Sequence, residues 1–246
     1  MSIQNFLSHE ICWATPLAPK SVKNHYRTQQ TFEHPAKFIR PSEGNIGMKR
    51  VLIIGSSGSG KSTLARQLGA TLELPVIHLD RHYWHAGWVG TPADEWRKTV
   101  CRLVRRDAWI MDGNYRGTLN IRLQAADSVV FLDLPPWICA LRAIKRRIQY
   151  RKRPRPDIAE GCKEPLLDPQ LFQFVQHVLN YPDRAKPFVM QQLNSSANDK
   201  RIVLLKTTQD VNNFINAPLD FPTLNLLNGR QPISSPQIAH LPMELE

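Results

Sequence analysis

Gly55-Ser56-Ser57-Gly58-Ser59-Gly60-Lys61-Ser62 sets glycines, a lysine and a hydroxyl in the G-x-x-x-x-G-K-[ST] spacing of a phosphate-binding loop. Glycines let successive backbone N–H groups turn toward phosphate oxygens, and the positive end of a following helix adds to the attraction. In such a loop Lys61 reaches the β- and γ-phosphates, and the Ser62 hydroxyl ligates Mg²⁺. Residues Gly55 to Thr63 are therefore the expected nucleotide-binding residues, with ATP and Mg²⁺ the expected small molecules.

Three further positions carry chemistry. Asp112 opens Asp112-Gly113-Asn114-Tyr115-Arg116, where a carboxylate could hold Mg²⁺ through water opposite Ser62. Arg116 and Arg122 follow on a short helical stretch and are candidates for an anionic acceptor, against the alternative of solvated surface arginines. Asp80, in His78-Leu79-Asp80, is placed to accept a proton from an acceptor hydroxyl or to hydrogen-bond to it. Trp84 and Trp88 either wall an acceptor pocket or simply cover the sheet edge. His82 and His85 lack the further ligands a metal centre needs. Asp133 is expected to cap the helix after it.

The elements that must position these residues alternate. Strands are expected at 51–55, 75–79, 108–112, 128–132 and 201–206. Helices are expected at 61–72, 92–106, 136–150, 168–181, 184–194 and 208–216. Thr91-Pro92-Ala93-Asp94-Glu95 reads as a helix start, with a capping hydroxyl and early acids. Short apolar strands alternating with helices imply an α/β fold, a parallel sheet with helices on both faces. Ligands of such sheets bind beyond the carboxyl ends of the strands, which are here Gly55, Asp80, Asp112 and Asp133.

The chain of 246 residues divides into three parts. Residues 1–47 are polar and proline-interrupted and read as a flexible extension, upstream of a domain that starts at Met48; the rival is a real arm or targeting segment. Residues 48–217 form the α/β domain. Residues 218–246, with five prolines, read as a flexible tail. The 42% hydrophobic content suits a globular core, and no apolar run reaches the length of a membrane helix. Four scattered cysteines suggest neither a zinc site nor a disulfide framework and fit a reducing cytoplasm. The net charge is +11, and the segment from Arg142 to Arg155 carries eight positive charges with no acid among them. Such a segment can face nucleic acid, a membrane surface or a phosphorylated ligand. Beside a phosphate loop it reads best as a lid of arginines, with Arg142 and Arg146 on one helix face and a mobile loop at 151–156.

In this order and spacing, Gly55–Ser62, His78-Leu79-Asp80 with Trp84, Asp112-Gly113-Asn114-Tyr115, Phe131-Leu132-Asp133-Leu134-Pro135 and the basic Arg142–Arg155 stretch resemble the adenylate-kinase-related P-loop proteins called "topology modulation protein". The resemblance covers roughly 48–216. It implies a P-loop NTPase fold of the nucleoside and nucleotide kinase type, with a five-stranded parallel sheet and a basic lid. It also implies that Arg142 lies near the adenine, that Arg146 contacts phosphates, and that Arg184 is the arginine after the lid. Where adenylate-kinase-like proteins carry Asp-Gly-Phe-Pro-Arg, this chain has Asp-Gly-Asn-Tyr-Arg, and its acceptor region carries tryptophans, so the acceptor is not set by the resemblance. The favoured expectation is a small-molecule kinase with Lys61, Asp80, Asp112 and Arg146 as its catalytic residues. The alternative is a nucleotide-dependent regulatory protein, associated with DNA through the basic segment and weakly active as an ATPase.

Overall fold

The computed structural model describes residues 48–151, 153–162, 170–196 and 200–223. Five strands form one parallel sheet: β1 (Arg50–Gly55), β2 (Val76–His78), β5 (Trp109–Asp112), β6 (Ser128–Leu132) and β7 (Arg201–Leu205), in the order β2-β5-β1-β6-β7. The expected α/β architecture is thus present. All five residues Val51–Gly55 of β1 are buried, as a central parallel strand covered on both faces requires. Its side chains alternate between the two cores. Leu52 and Ile54 pack with α3 (Ala93–Leu103), α4 (Leu119–Ala125) and α8 (Lys186–Ser195), through Trp96, Leu123 and Val189 among others. Val51 and Ile53 pack on the other face with α1 (Lys61–Leu72), α5 (Pro136–Gln149) and α9 (Thr208–Asn216), through Leu64, Cys139 and Phe214.

Three features depart from the sequence pattern. Between β2 and α3 lie the short helix α2 (Leu79–Tyr83) and a two-stranded hairpin, β3 (Trp84–His85) with β4 (Val89–Gly90). Asp80 therefore sits in the first turn of α2, two residues past the end of β2 at His78. Thr91 does not cap α3, whose N-cap is Pro92 with no side-chain bond; its hydroxyl donates instead to Tyr83 O at 2.7 Å and closes the hairpin. The helix expected at 168–181 ends at Leu179 as α6 (Gln170–Leu179), and α7 (Tyr181–Arg184), with proline in its first turn, follows it.

The end of the domain is tied down past 217. Phe221 packs edge-on against Phe214 at 5.4 Å, and its carbonyl accepts from Arg201 Nη2 at 2.8 Å. Residues 1–47 and 224–246 lie outside the described residues. Among the described residues no helix is long and apolar enough to cross a membrane.

Candidate functional site

Parallel register brings the chemistry to one edge of the sheet. Ile53 of β1 and His78 of β2 both pair with Asp112 of β5, so the phosphate loop, α2 and the Asp112 segment leave the sheet at the same level. The loop bends through left-handed glycines. Gly58 has φ +79°, and a Cβ there would stand 2.0 Å from Cys139 O in α5. Gly60, at φ +99°, is the N-cap of α1, and a Cβ there would meet no atom within 4 Å. The loop thus lies tight against α5 below, with open space at the start of α1. The hydroxyls of Ser56 and Ser59 are buried and have no hydrogen-bond partner among the described residues. Open space and unused donors at a helix N-terminus fit a bound polyphosphate.

Lys61 Nζ donates to Ser56 O at 2.8 Å. Burial lowers the pKa of its ammonium, while Asp112 and Asp80 act to raise it and Arg146 opposes them. Asp112 is buried at 3% exposure, and its Oδ1 lies 2.7 Å from His78 Nδ1. Asp80 accepts the Tyr115 hydroxyl at 2.7 Å. Burial raises the pKa of the Asp80 carboxyl; the Tyr115 hydrogen bond lowers it, Asp112 raises it further, and Arg155 and Lys61 favour the charged form. Lys61 and two carboxylates therefore share the edge, with Arg146 and Arg155 close enough to act on them. Ser62 is half-buried at the start of α1, and Thr63 beside it is exposed. Among the described residues no group of three or more His, Cys, Asp and Glu gathers to hold a metal. Ser62 and Asp112 could offer two protein oxygens, a donor set compatible with Mg²⁺, an ion that keeps water and takes substrate phosphates as ligands.

The expected acceptor residues divide. Asp80 lies within the electrostatic reach of Lys61. Trp84 is 92% buried, edge-on to Tyr83 at 4.8 Å and to Trp88 at 5.5 Å, so it belongs to the core beneath the hairpin. Arg116 lies over the Phe188 ring at 4.0 Å. Arg122 corrects the expectation of a surface anion ligand, because it is 0% exposed. Its Nη1 donates to Gly113 O at 2.8 Å, its Nη2 to Asn114 O at 3.1 Å and Tyr115 O at 2.7 Å, and its Nε to Thr118 O at 3.3 Å. Burial pulls its pKa down to about 9, against Tyr115. Arg184 is exposed and lies near His177, whose pKa is lowered by burial and further by the Arg184 charge. In its neighbourhood Lys186 holds Asp133, Nζ to Oδ2 at 2.7 Å; Asp133 does not cap α5, whose N-cap is Pro135.

The basic segment is not uniformly solvated. Arg142 donates to Thr208 Oγ1 at 3.0 Å. Arg146 is near enough to Lys61 and Asp157 to act on both. Arg147 is buried over Phe174 at 5.6 Å. Arg155, at the far end of the expected loop, is buried and forks onto Asp157, Nε to Oδ1 at 3.2 Å and Nη2 to Oδ2 at 2.8 Å. Arg151 and Arg153 are exposed. The chain then passes over the hairpin, where Cys162 Sγ donates to His85 O at 3.2 Å. Asn114 is a site residue that the sequence reading left without a role: its Oδ1 accepts Gly55 N–H at 3.3 Å, joining the Asp112 segment to the phosphate loop.

No protein-family model matches the chain. Among curated proteins it is similar to the ATP-dependent protease ATPase subunit HslU of Helicobacter pylori strain G27, with 26% identity over 117 residues, 46% of this chain and 24% of that protein. The same subunit of Helicobacter acinonychis strain Sheeba is 25% identical over 119 residues, 47% of this chain and 25% of its own length. The chain thus spans about a quarter of the length of the curated relatives it matches. Among solved structures, a gluconokinase from Sinorhizobium meliloti 1021 covers 70% of this chain and 89% of its own at 17% identity and a TM-score of 0.41. A shikimate kinase from Acinetobacter baumannii, in complex with shikimate, covers 70% and 91% at 16% identity and a TM-score of 0.45.

Proposed function

We propose that this protein is an ATP-dependent phosphotransferase of the adenylate-kinase-like type, acting on a hydroxyl of a small-molecule acceptor. The observation that carries the reading is the convergence of Lys61, Asp80 and Asp112 at one sheet edge, each within electrostatic reach of the others. The HslU proteins, ATPases by name, support ATP as the nucleotide and leave the acceptor open.

In this reading the amides of Gly55–Thr63 hold the phosphates, and Lys61 leaves Ser56 O to neutralise charge on the transferring group. Mg²⁺, held by Ser62, Asp112, phosphate oxygens and water, would neutralise charge on the β- and γ-phosphates. Asp80 receives the acceptor hydroxyl proton as the acceptor oxygen bonds to Pγ and the bond from Pγ to the β-bridging oxygen breaks, releasing ADP. Burial suits Asp80 to this role, since a carboxylate of raised pKa is the stronger base. Arg142 and Arg146 take the adenine and phosphate sides of the lid, as the resemblance implies, and Arg116, which follows Asp112, and Arg184, the arginine after the lid, are assigned to the acceptor. Asp80→Asn keeps Mg·ATP affinity within about twofold and lowers acceptor-dependent kcat at least about 100-fold, the scale of a positioned base. An Asp80→Asn protein with normal turnover would overturn the assignment.

A second reading draws on exposed Arg151 and Arg153: a nucleotide-dependent DNA-associated protein, as the topology-modulation resemblance suggests. It requires DNA affinity that falls steeply with salt and is lost on charge reversal at those two residues.

A further inference from the structure

Arg122 is a fully buried cation that no carboxylate pairs with among the described residues. Its four hydrogen bonds all go to backbone carbonyls, three of them to consecutive residues, Gly113, Asn114 and Tyr115. A lone buried guanidinium is a costly way to fix an ordinary turn. What it fixes is a segment with two outward connections. Asn114 Oδ1 accepts Gly55 N–H at the first residue of the phosphate loop, and the Tyr115 hydroxyl donates to Asp80 on the acceptor side. The segment begins immediately after Asp112. Donor loop, strand-end carboxylate and acceptor carboxylate therefore share one mechanical reference.

We propose that Arg122 is a positioning residue, a buried bracket that sets Asn114 against the phosphate loop and Tyr115 against Asp80, so that one guanidinium holds the nucleotide and acceptor sides in register. The Asp80 half rests on the phosphotransferase reading; the Asn114 half needs only nucleotide binding. The Tyr115 ring is itself seated, tilted on Tyr83 at 4.7 Å and on Trp96 at 4.8 Å, so the guanidinium fixes the backbone while the aromatic cluster fixes the ring. Lysine cannot replace this arrangement, because a single ammonium on a flexible stem cannot meet three successive carbonyls in fixed geometry.

Two double-mutant cycles on the full chain test the bracket. In the first, the dissociation constant of Mg·ATP is measured for Arg122→Lys, Asn114→Ala and the double variant. In the second, kcat and KM for ADP formation from Mg·ATP are measured for Arg122→Lys, Tyr115→Phe and the double variant. Each single variant loses about tenfold, in ATP affinity in the first cycle and in kcat in the second, as expected for one hydrogen bond made to a site group. Each double variant is no worse than the worse single, because both changes break the same connection. Losses that multiply in both cycles, or an Arg122→Lys protein with wild-type constants, would overturn the proposal. Arg122→Gln, which keeps two donors, is the second variant if lysine does not fold. If neither folds, Arg122 serves the fold as a whole and the bracket is wrong. A wild-type protein that binds ATP but transfers no phosphoryl group ends the kinase reading and the Asp80 half, while the first cycle still decides the Asn114 half.

Discussion

Gly58 and Gly60 share a left-handed backbone yet differ in what lies beside them, and replacing each by alanine separates backbone strain from close approach. At Gly60 the added methyl meets nothing within 4 Å, so the only cost to the fold is a φ of +99°. That conformation costs alanine about 1–2 kcal/mol. At Gly58 the φ of +79° carries a similar cost, and the methyl would also stand 2.0 Å from Cys139 O and 2.9 Å from Cys139 C. Both are backbone atoms of α5, which cannot step aside as a flexible side chain would. Relieving the overlap by shifting loop or helix adds about 1–3 kcal/mol. Gly58→Ala is therefore expected to lose about 2–5 kcal/mol of unfolding free energy in urea, and Gly60→Ala about 1–2 kcal/mol. Mg·ATP affinity falls in both, because in both the loop amides leave their places. Equal stabilities for the two variants, within about 0.5 kcal/mol, would refute the claim that the loop is braced against α5.

The ion pair of Arg155 with Asp157 predicts a specific acid sensitivity. Burial alone would raise Asp157, but the hydrogen bond and charge of Arg155, with Arg146, outweigh it and hold the carboxyl down to about 2. A carboxyl depressed in the folded state stabilises the fold above its unfolded pKa near 4, and that stabilisation is lost as pH falls toward 2. Between those limits the wild type should lose about 2 kcal/mol more than Asp157→Asn, read from urea unfolding at each pH. Identical pH dependence for the two would mean that the pair is not formed in solution. Removing Mg²⁺ with EDTA should abolish ADP formation and leave the thermal midpoint of the nucleotide-free protein unchanged, since only Ser62 and Asp112 are assigned to the ion. A midpoint lowered by EDTA would instead indicate a structural metal.

The sheet was legible because its strands are short apolar runs buried on both faces, and each of the five lies within about a residue or two of its expected bounds. The phosphate loop was legible because its function needs particular residues at particular spacings. The hairpin of Trp84–His85 with Val89–Gly90 was hidden, since two-residue strands carry no period. Arg122 was misread for a general reason: local sequence cannot show that an arginine turns inward to carbonyls of its own preceding loop. Its offsets of four to nine residues from Thr118, Tyr115, Asn114 and Gly113 become neighbours only after the chain bends. Arg155 is one charge of a run by sequence, and Asp157 two residues on is the local sign of its fork. Thr91 satisfied the rules for a helix cap and was taken by the hairpin instead, a tertiary contact overriding a local preference.

Phosphoryl transfer from ATP at the edge shared by Lys61, Asp80 and Asp112 is read as ADP formation from Mg·ATP with the full chain. Nucleosides, nucleotides, sugars and small hydroxy acids are offered in turn as acceptors, with duplex DNA in a separate arm and Lys61→Ala as the control. Turnover is expected to depend on one class of small hydroxyl compound and to fall at least about 100-fold in Lys61→Ala. Turnover that persists in Lys61→Ala, or that responds only to DNA, would contradict transfer at that edge.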